Sequence, residues 1–279
     1  MRRLHAFSLR WHGSSGVSVI AVFLIAAGVA AQGQKPTAPV VTPISGDYEK
    51  AQIRVLTPGV VFSSGLPDLA AEFSKQTGKT VGINTVGMGT IVEEMGKRTP
   101  PPDMIVLPFQ LMNSYALEGG VMAGTMVPLG RNRMGLAVKA GAPKPDISTP
   151  EKFIAAMKGK AVMRSNPASR TMVATIIDDM FKRPEFAGIN AVPSTKGEGG
   201  QALARGEGDM AIQTISQILP YKEIELVGPV PKEFGLWIDT MLAVSSRATN
   251  PTDAKALIQY LLRPESNKVW KPRGMERFE

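Results

Sequence analysis

Residues 53–78 read IRVLTPGVVFSSGLPDLAAEFSKQTG, and this stretch predicts a β-strand, a loop and an α-helix in succession. The apolar, β-branched residues that open it favour a strand, which Pro58 ends. Ser63 or Ser64 can cap the helix, and Gly78 suits the left-handed position just after its last turn. Ligands of open α/β sheets bind where strands end and helices begin. We therefore expect this loop to form one wall of a cleft for an anion or another small ligand.

The same order of elements follows twice more along the chain. Residues 80–85 (TVGINT) alternate as a strand and precede the loop 87–90 (GMGT) and a short helix. Residues 103–107 (DMIVL) form a continuous apolar run typical of a buried parallel strand, and Pro108 follows it. The GMGT loop lacks the third glycine of a dinucleotide-binding fingerprint. Three loops should thus meet at one edge of a sheet.

Further strands and helices alternate in the rest of the chain. We predict strands at 134–139, 160–163, 209–213, 224–227 and 237–244, and helices after Thr149 and at 111–118, 171–181, 199–205 and 252–262. In the last helix the apolar residues recur with helical spacing. The fold class predicted from this order is α/β.

The first 31 residues predict a cleaved secretory signal peptide and hence an exported protein. A basic front precedes the uncharged apolar run 16–31, which is short for a membrane span of about 20 residues. The alternative is an anchor that is not cleaved. Residues 32–52, rich in proline and threonine, predict an extended linker before the folded part.

Charge and residue usage narrow the function. The net charge is +8, and removal of the signal segment leaves 29 basic against 24 acidic residues, a net charge of +5. This mild positive balance favours anionic ligands and supports nucleic-acid binding poorly. Both histidines, His5 and His12, lie in the signal segment, and the chain has no cysteine. The mature chain then has no Ser-His-Asp or Cys-His pair and no zinc ligands of these types, so we expect a binding protein without cofactor rather than an enzyme.

Several motifs, in this order, resemble one family. They are AAEFSKQTGKTV (70–81), GMGTIVEEM (87–95), GEGDMAIQTISQILP (206–220) and KPRGME (271–276). The chain resembles exported solute-binding proteins of the type II periplasmic-binding class, close to the molybdate-binding members, over about 53–276.

The resemblance implies two α/β lobes that hold a ligand between them. The first lobe would comprise 53–130 and 238–279, and the second 131–237, with crossovers near 131–136 and 237–242. It also implies a monomer that closes about a hinge and delivers its ligand to the membrane permease of an ATP-driven importer.

In this family, ligands are held by hydroxyls and backbone N–H groups at the loop ends. The matching positions, or their neighbours, are Thr57, Val61, Ser63, Met88, Gly89, Thr90, Pro108, Ser169, Arg170, Thr171 and Thr214. Val61 stands where a serine is usual, and Pro108 removes an N–H donor. Thr214 stands where an aromatic hydroxyl is usual.

These departures leave the ligand open between a molybdate-like oxyanion and a small organic carboxylate. Arg164 and Arg170 would grip a carboxylate through two parallel hydrogen bonds, or they would form solvated surface ion pairs. Thr57 and Thr214 would contact the ligand, or they would bond only to neighbouring protein groups. A binding domain that signals to a membrane partner without transport is a further alternative.

Overall fold

A computed structural model of the protein describes residues 46–87 and 90–278. The predicted signal peptide, most of the linker, and Met88 and Gly89 lie outside these ranges. The strands are β1 (Ile53–Thr57), β2 (Val81–Thr85), β3 (Met104–Pro108), β4 (Val127–Lys139), β5 (Ala161–Arg164), β6 (Asn190–Pro193), β7 (Met210–Thr214), β8 (Ile224–Pro229), β9 (Trp237–Val244) and β10 (Met275–Arg277). The helices are α1 (Gly59–Ser63), α2 (Leu66–Thr77), α3 (Ile91–Lys97), α4 (Phe109–Leu117), α5 (Pro150–Met157), α6 (Met172–Phe181), α7 (Gly199–Ala204), α8 (Ile215–Ile218), α9 (Pro251–Leu262) and α10 (Asn267–Trp270).

The predicted α/β class with two lobes is confirmed, and strand β4 is shared by both halves of the sheet. The strand order is β2-β1-β3-β9-β4-β7-β5-β6, with β8 and β10 also paired to β4. Residues 127–133 of β4 run antiparallel to β9, whereas residues 134–138 run antiparallel to β7. The strands β1, β2 and β3 are mutually parallel, as are β5, β6 and β7. Each half therefore gathers the carboxyl ends of three parallel strands at one edge.

The opening stretch forms the expected strand and helix, but its loop differs from the prediction. Residues 59–63 form the short helix α1, and neither predicted serine caps α2, whose N-cap is Gly65 with φ of 108°. Only glycine adopts this backbone conformation readily, and a Cβ there would lie 2.7 Å from the Val269 side chain. The extra turn forms because it buries Val60 and Val61 in the core. Gly78 takes the predicted left-handed conformation, with φ of 73°.

Other boundaries were predicted with mixed success. Thr149 caps α5 as expected, since its hydroxyl accepts a hydrogen bond from the Lys152 N–H at 3.3 Å. Strand β4 begins seven residues earlier than position 134, and the short strands β6 and β10 were not predicted. Such strands owe their conformation to pairing with strands distant in sequence, so local residue patterns indicate them weakly.

A buried carboxylate fixes the amino end of β3. Asp103 is fully buried, and it accepts hydrogen bonds from the N–H and Nε of Arg54 on β1 at 2.9 and 3.1 Å. It also accepts the N–H groups of Thr249 and Asn250, before α9, at 2.7 and 2.9 Å. One side chain thus ties β1, β3 and the start of α9 together at the edge opposite the carboxyl ends. Along the described ranges, no helix is both long enough and apolar enough to cross a membrane.

Candidate functional site

A cavity of about 410 Å³ lies beside the carboxyl ends of the parallel strands. Both halves of the sheet contribute to its wall. The lining residues are Gly59, Phe62, Ser63, Gly65, Pro67, Asp68, Thr85, Glu198, Gln201, Gln217, Pro220, Tyr221 and Arg273. The residues from Gly59 to Thr85 belong to α1, the start of α2 and the end of β2. Those from Glu198 to Tyr221 belong to α7, to α8 and to the segment after α8, and Arg273 precedes β10. A volume of this size suits a small-molecule ligand, since such pockets measure about 300–1,000 Å³.

The cavity contains one guanidinium group, that of Arg273, from the segment before β10. This side chain forms an ion pair with Asp68 in the first turn of α2, and its Nη1 donates to the Val269 carbonyl at 3.3 Å. These two bonds use two of the five N–H donors of a guanidinium. Arg273 can therefore still bind an anion in the cavity while Asp68 holds it in place.

The opposite wall is a network of polar side chains behind α7 and α8. Gln217 accepts hydrogen bonds from the Thr214 hydroxyl and from the Gln213 amide, both at 2.8 Å. Oε1 of Gln213 in turn lies 3.0 Å from the hydroxyl of Ser165, which is also within hydrogen-bond distance of the Glu198 carboxylate. Each of these groups is held by another, so the wall is preorganised before a ligand enters.

Direct contacts join the two halves beneath the cavity. The buried Ser216 hydroxyl of α8 donates to the Val60 carbonyl of α1 at 3.1 Å. A Cβ at Gly274, whose φ is 82°, would lie 2.7 Å from the side chain of Ile215. Glycine at this position lets the segment before β10 approach α8 closely, which brings Arg273 to the cavity.

The residues predicted from the first lobe reach the cavity unevenly. Ser63 lines it. Thr57 is fully buried, and its hydroxyl donates to the Pro58 carbonyl at 3.3 Å. Val61 is fully buried in the core, and Pro108 is buried at the end of β3. Ser63 is therefore the predicted first-lobe residue that the structure places on the cavity wall.

The predicted residues of the second and later loops lie mostly elsewhere. Thr90 is exposed, and its hydroxyl donates to the Gly87 carbonyl at 3.3 Å. Ser169 and Arg170 are exposed, and Thr171 caps α6 through the Ala174 N–H at 3.2 Å. None of them is among the described residues that line the cavity. Met88 and Gly89 lie outside the described ranges, and the role of the whole predicted set in ligand binding stays a prediction.

The two arginines proposed as a carboxylate clamp occupy different environments. Arg164 forms an ion pair with Asp178 of α6 at 2.9 Å, and its side chain is mostly buried. Arg170 takes a left-handed conformation, with φ of 54°, at the end of a short 3-10 helix. The Thr214 hydroxyl donates a hydrogen bond to the amide oxygen of Gln217, and Gln217 lines the cavity. The alternative reading, a threonine bonded to neighbouring protein groups, thus describes the observed contact.

Sequence analysis did not assign Glu198, Gln201, Gln217, Tyr221 or Arg273 to the site. Two of them lay in motifs that carried the family resemblance, Gln217 in GEGDMAIQTISQILP and Arg273 in KPRGME. Those motifs were the available signal. Among the described residues, no group of three or more His, Cys, Asp or Glu side chains could hold a metal ion.

The fold is the two-lobed α/β fold of type II periplasmic-binding proteins. A family model for bacterial extracellular solute-binding proteins matches residues 59–276, and the chain belongs to that family. It is also similar to a protein named aconitate isomerase from a Pseudomonas species, with 25% identity over 242 residues that cover 84% of this chain and 91% of the relative.

Solved structures with the same fold include two proteins whose names refer to molybdenum or molybdate. One is the substrate-binding domain of a putative molybdenum transporter from Clostridium difficile, with a TM-score of 0.65 and 15% identity over 81% of this chain and 99% of that one. Another is the periplasmic molybdate-binding protein of Azotobacter vinelandii, with a TM-score of 0.62 and 17% identity over 81% of this chain and all of that one. At these identities the likeness establishes the fold, which confirms the predicted resemblance to molybdate-binding proteins.

Proposed function

We propose that this chain is the exported binding protein of an ATP-driven importer and that it captures a small anion in the cavity beside Arg273. The observation that carries the proposal is a cavity of ligand size, lined from both halves, with one guanidinium in its wall. Membership of the solute-binding family supports this function. The anion would be delivered to a membrane permease by a monomeric, periplasmic protein.

Hinge closure would occur about the two predicted crossovers between the lobes, near residues 131–136 in β4 and 237–242 in β9. We propose lobes at 53–130 with 238–279 and at 131–237, as the sequence predicts. The change of partner within β4, from β9 to β7 between residues 133 and 134, supports this boundary. A small rotation there would bring the α7 and α8 side of the cavity towards α1 and α2.

Of the two predicted ligand classes, the cavity favours an organic carboxylate over a molybdate-like oxyanion. Two carboxylates, Asp68 and Glu198, line the cavity together with one guanidinium. A compact dianion needs several converging donors, and nearby carboxylates repel it. A larger acid can place its carboxylate at Arg273 and keep the rest of the molecule away from Asp68.

Thermal melting with a ligand panel tests this function. We expect small carboxylates to raise the melting temperature of the protein by several degrees at saturating concentration, because a ligand that binds only the folded state stabilises it. Arg273→Ala should abolish the shift. Arg170→Ala, a matched removal of an exposed arginine, should preserve it. Loss of binding in Arg170→Ala alone would instead support the predicted clamp and refute the assignment to Arg273.

A second candidate is isomerase activity, which the similarity to a protein named aconitate isomerase favours. If the isomers were interconverted by proton transfer, the site would need a side chain that accepts and returns a proton. Proton NMR of cis- or trans-aconitate incubated with the protein measures the conversion directly. We expect no conversion. Conversion that is lost in Glu198→Gln would establish an enzyme in place of a transport protein.

A further inference from the structure

We propose that the ligand is a small organic acid that carries a hydroxyl or ammonium group, with its carboxylate bound by Arg273 and its donor group bound by Glu198. This inference rests on the proposed function and specifies the ligand class of the same cavity. It assigns Glu198 as the residue that determines specificity.

Glu198 is held as a fixed acceptor at the cavity wall. It occupies the N-cap of α7 in a capping box with Gln201: the Glu198 side chain accepts the Gln201 N–H, and Oε1 of Gln201 accepts the Glu198 N–H at 3.1 Å. The Ser165 hydroxyl donates to the carboxylate from the side of β5. A carboxylate offers about four lone-pair positions, so these contacts leave acceptor capacity towards the cavity.

The network behind Glu198 is short of donors. The hydroxyl of Ser165 lies within hydrogen-bond distance of both the Glu198 carboxylate and Oε1 of Gln213. A serine carries one hydroxyl proton and can serve only one of these acceptors at a time. A ligand with an O–H or N–H group would supply the missing donor. A ligand without one would cover the free acceptor position of this partly buried carboxylate without filling it, which is unfavourable.

The placement of charges in the cavity bears on the same ligand class. The charged lining residues are Asp68, Glu198 and Arg273, a formal balance of one negative charge. Arg273 already contacts Asp68 and provides attraction for one further carboxylate. An anion that also presents a donor to Glu198 meets an attractive group on both walls. A bare inorganic dianion would meet two carboxylates and one shared guanidinium.

The test is calorimetric titration at pH 7 with pairs of acids that differ by one hydroxyl. The pairs are lactate and propionate, L-malate and succinate, and citrate and tricarballylate, with L-aspartate and molybdate as further probes. For the pair that binds most tightly, we expect the hydroxy acid to bind at least tenfold more tightly than the acid without the hydroxyl. A site built to bond a hydroxyl rejects the analogue that lacks it.

Variants assign this preference to Glu198. Glu198→Gln keeps the shape of the side chain but removes its charge, and it should reduce the preference for the hydroxy acid to within about twofold. Glu185→Gln, an exposed position, should leave the preference unchanged. The unmodified protein alone already decides the ligand class, so the proposal does not depend on the folding of Glu198→Gln.

The outcomes separate this inference from the proposed function. Equal affinity for both members of every pair, or tightest binding of molybdate, would refute the donor requirement while leaving an anion-binding protein. A preference that persists in Glu198→Gln would refute the role of Glu198. If none of the probes binds, both proposals fail.

Discussion

Replacing Asp103 with alanine should lower the free energy of unfolding by about 3–5 kcal/mol, the cost of removing one partner of a buried ion pair. Asp103 is fully buried, and the Arg54 side chain is only 10% exposed. The substitution leaves this guanidinium without its partner and strands the N–H groups of Arg54, Thr249 and Asn250 that bond to the carboxylate. These penalties share one site and therefore do not add.

The expected loss is a large fraction of the total stability, which for a domain is about 5–15 kcal/mol. For a domain of this size, each kcal/mol lowers the melting temperature by about 2–4 °C, so the midpoint should fall by about 6–20 °C. Urea unfolding followed by circular dichroism measures the free energy, and a thermal scan measures the midpoint. Because Asp103 lies at the sheet edge opposite the cavity, the folded variant should still be stabilised by ligand.

Asp179→Ala is the matched control for this substitution. Asp179 pairs with Lys182 on the surface of α6, with both side chains more than half exposed. Removal of such a pair should change the free energy of unfolding by less than about 1 kcal/mol. A fall in midpoint below 3 °C for Asp103→Ala, or equal falls for both variants, would refute the reasoning that burial makes the Asp103 cluster decisive.

Three further predictions concern other charged or polar side chains. Burial raises the pKa of Tyr48 from 10.0 to about 12, and its buried hydroxyl has no partner among the described residues. Tyr48→Phe should therefore leave stability at pH 7 unchanged or higher. It should also remove a loss of stability between pH 10 and about 12, where an unfolded tyrosine ionises first; identical alkaline unfolding curves for both proteins would contradict this. Lys182 lowers the pKa of the Asp178 carboxyl below its ordinary value of 3.8. The resulting stabilisation is present above pH 3.8 and is lost as the pH falls through the lowered pKa, so Asp178→Asn should narrow the difference in urea midpoint between pH 7 and pH 3. Arg131 on β4 donates two hydrogen bonds to Asp239 on β9, at 2.7 and 2.8 Å. Asp239→Asn should cost about 1 kcal/mol in urea unfolding at low salt and less at high salt, because a partly exposed pair is screened; an unchanged midpoint would contradict a stabilising role.

The elements that formed as predicted are those with strong local signals. Strand β1 and helix α2, the glycine that ends α2, the threonine that caps α5, and the amphipathic helix α9 all follow from residues within a few positions of one another. The class of fold follows from their order, because strands that alternate with helices pack into a parallel sheet covered by helices. In the opening stretch the local pattern predicted a loop after β1, and this prediction was wrong. Residues 59–63 form α1 instead, because the helical turn buries the side chains of Val60 and Val61.

The candidate site depends on contacts that no local pattern describes. Ser63, Glu198 and Arg273 lie far apart in the sequence, yet they line one cavity. The sequence by itself determined the α/β class and the family, and it predicted the edge of the sheet beside which the cavity lies. Only the tertiary structure decided which side chains reach that edge, because the approach of the segment before β10 to α8 and the network behind Glu198 arise from packing between distant segments. The opening loop thus supplies one wall, and the chemistry of the opposite wall is set by residues far along the chain.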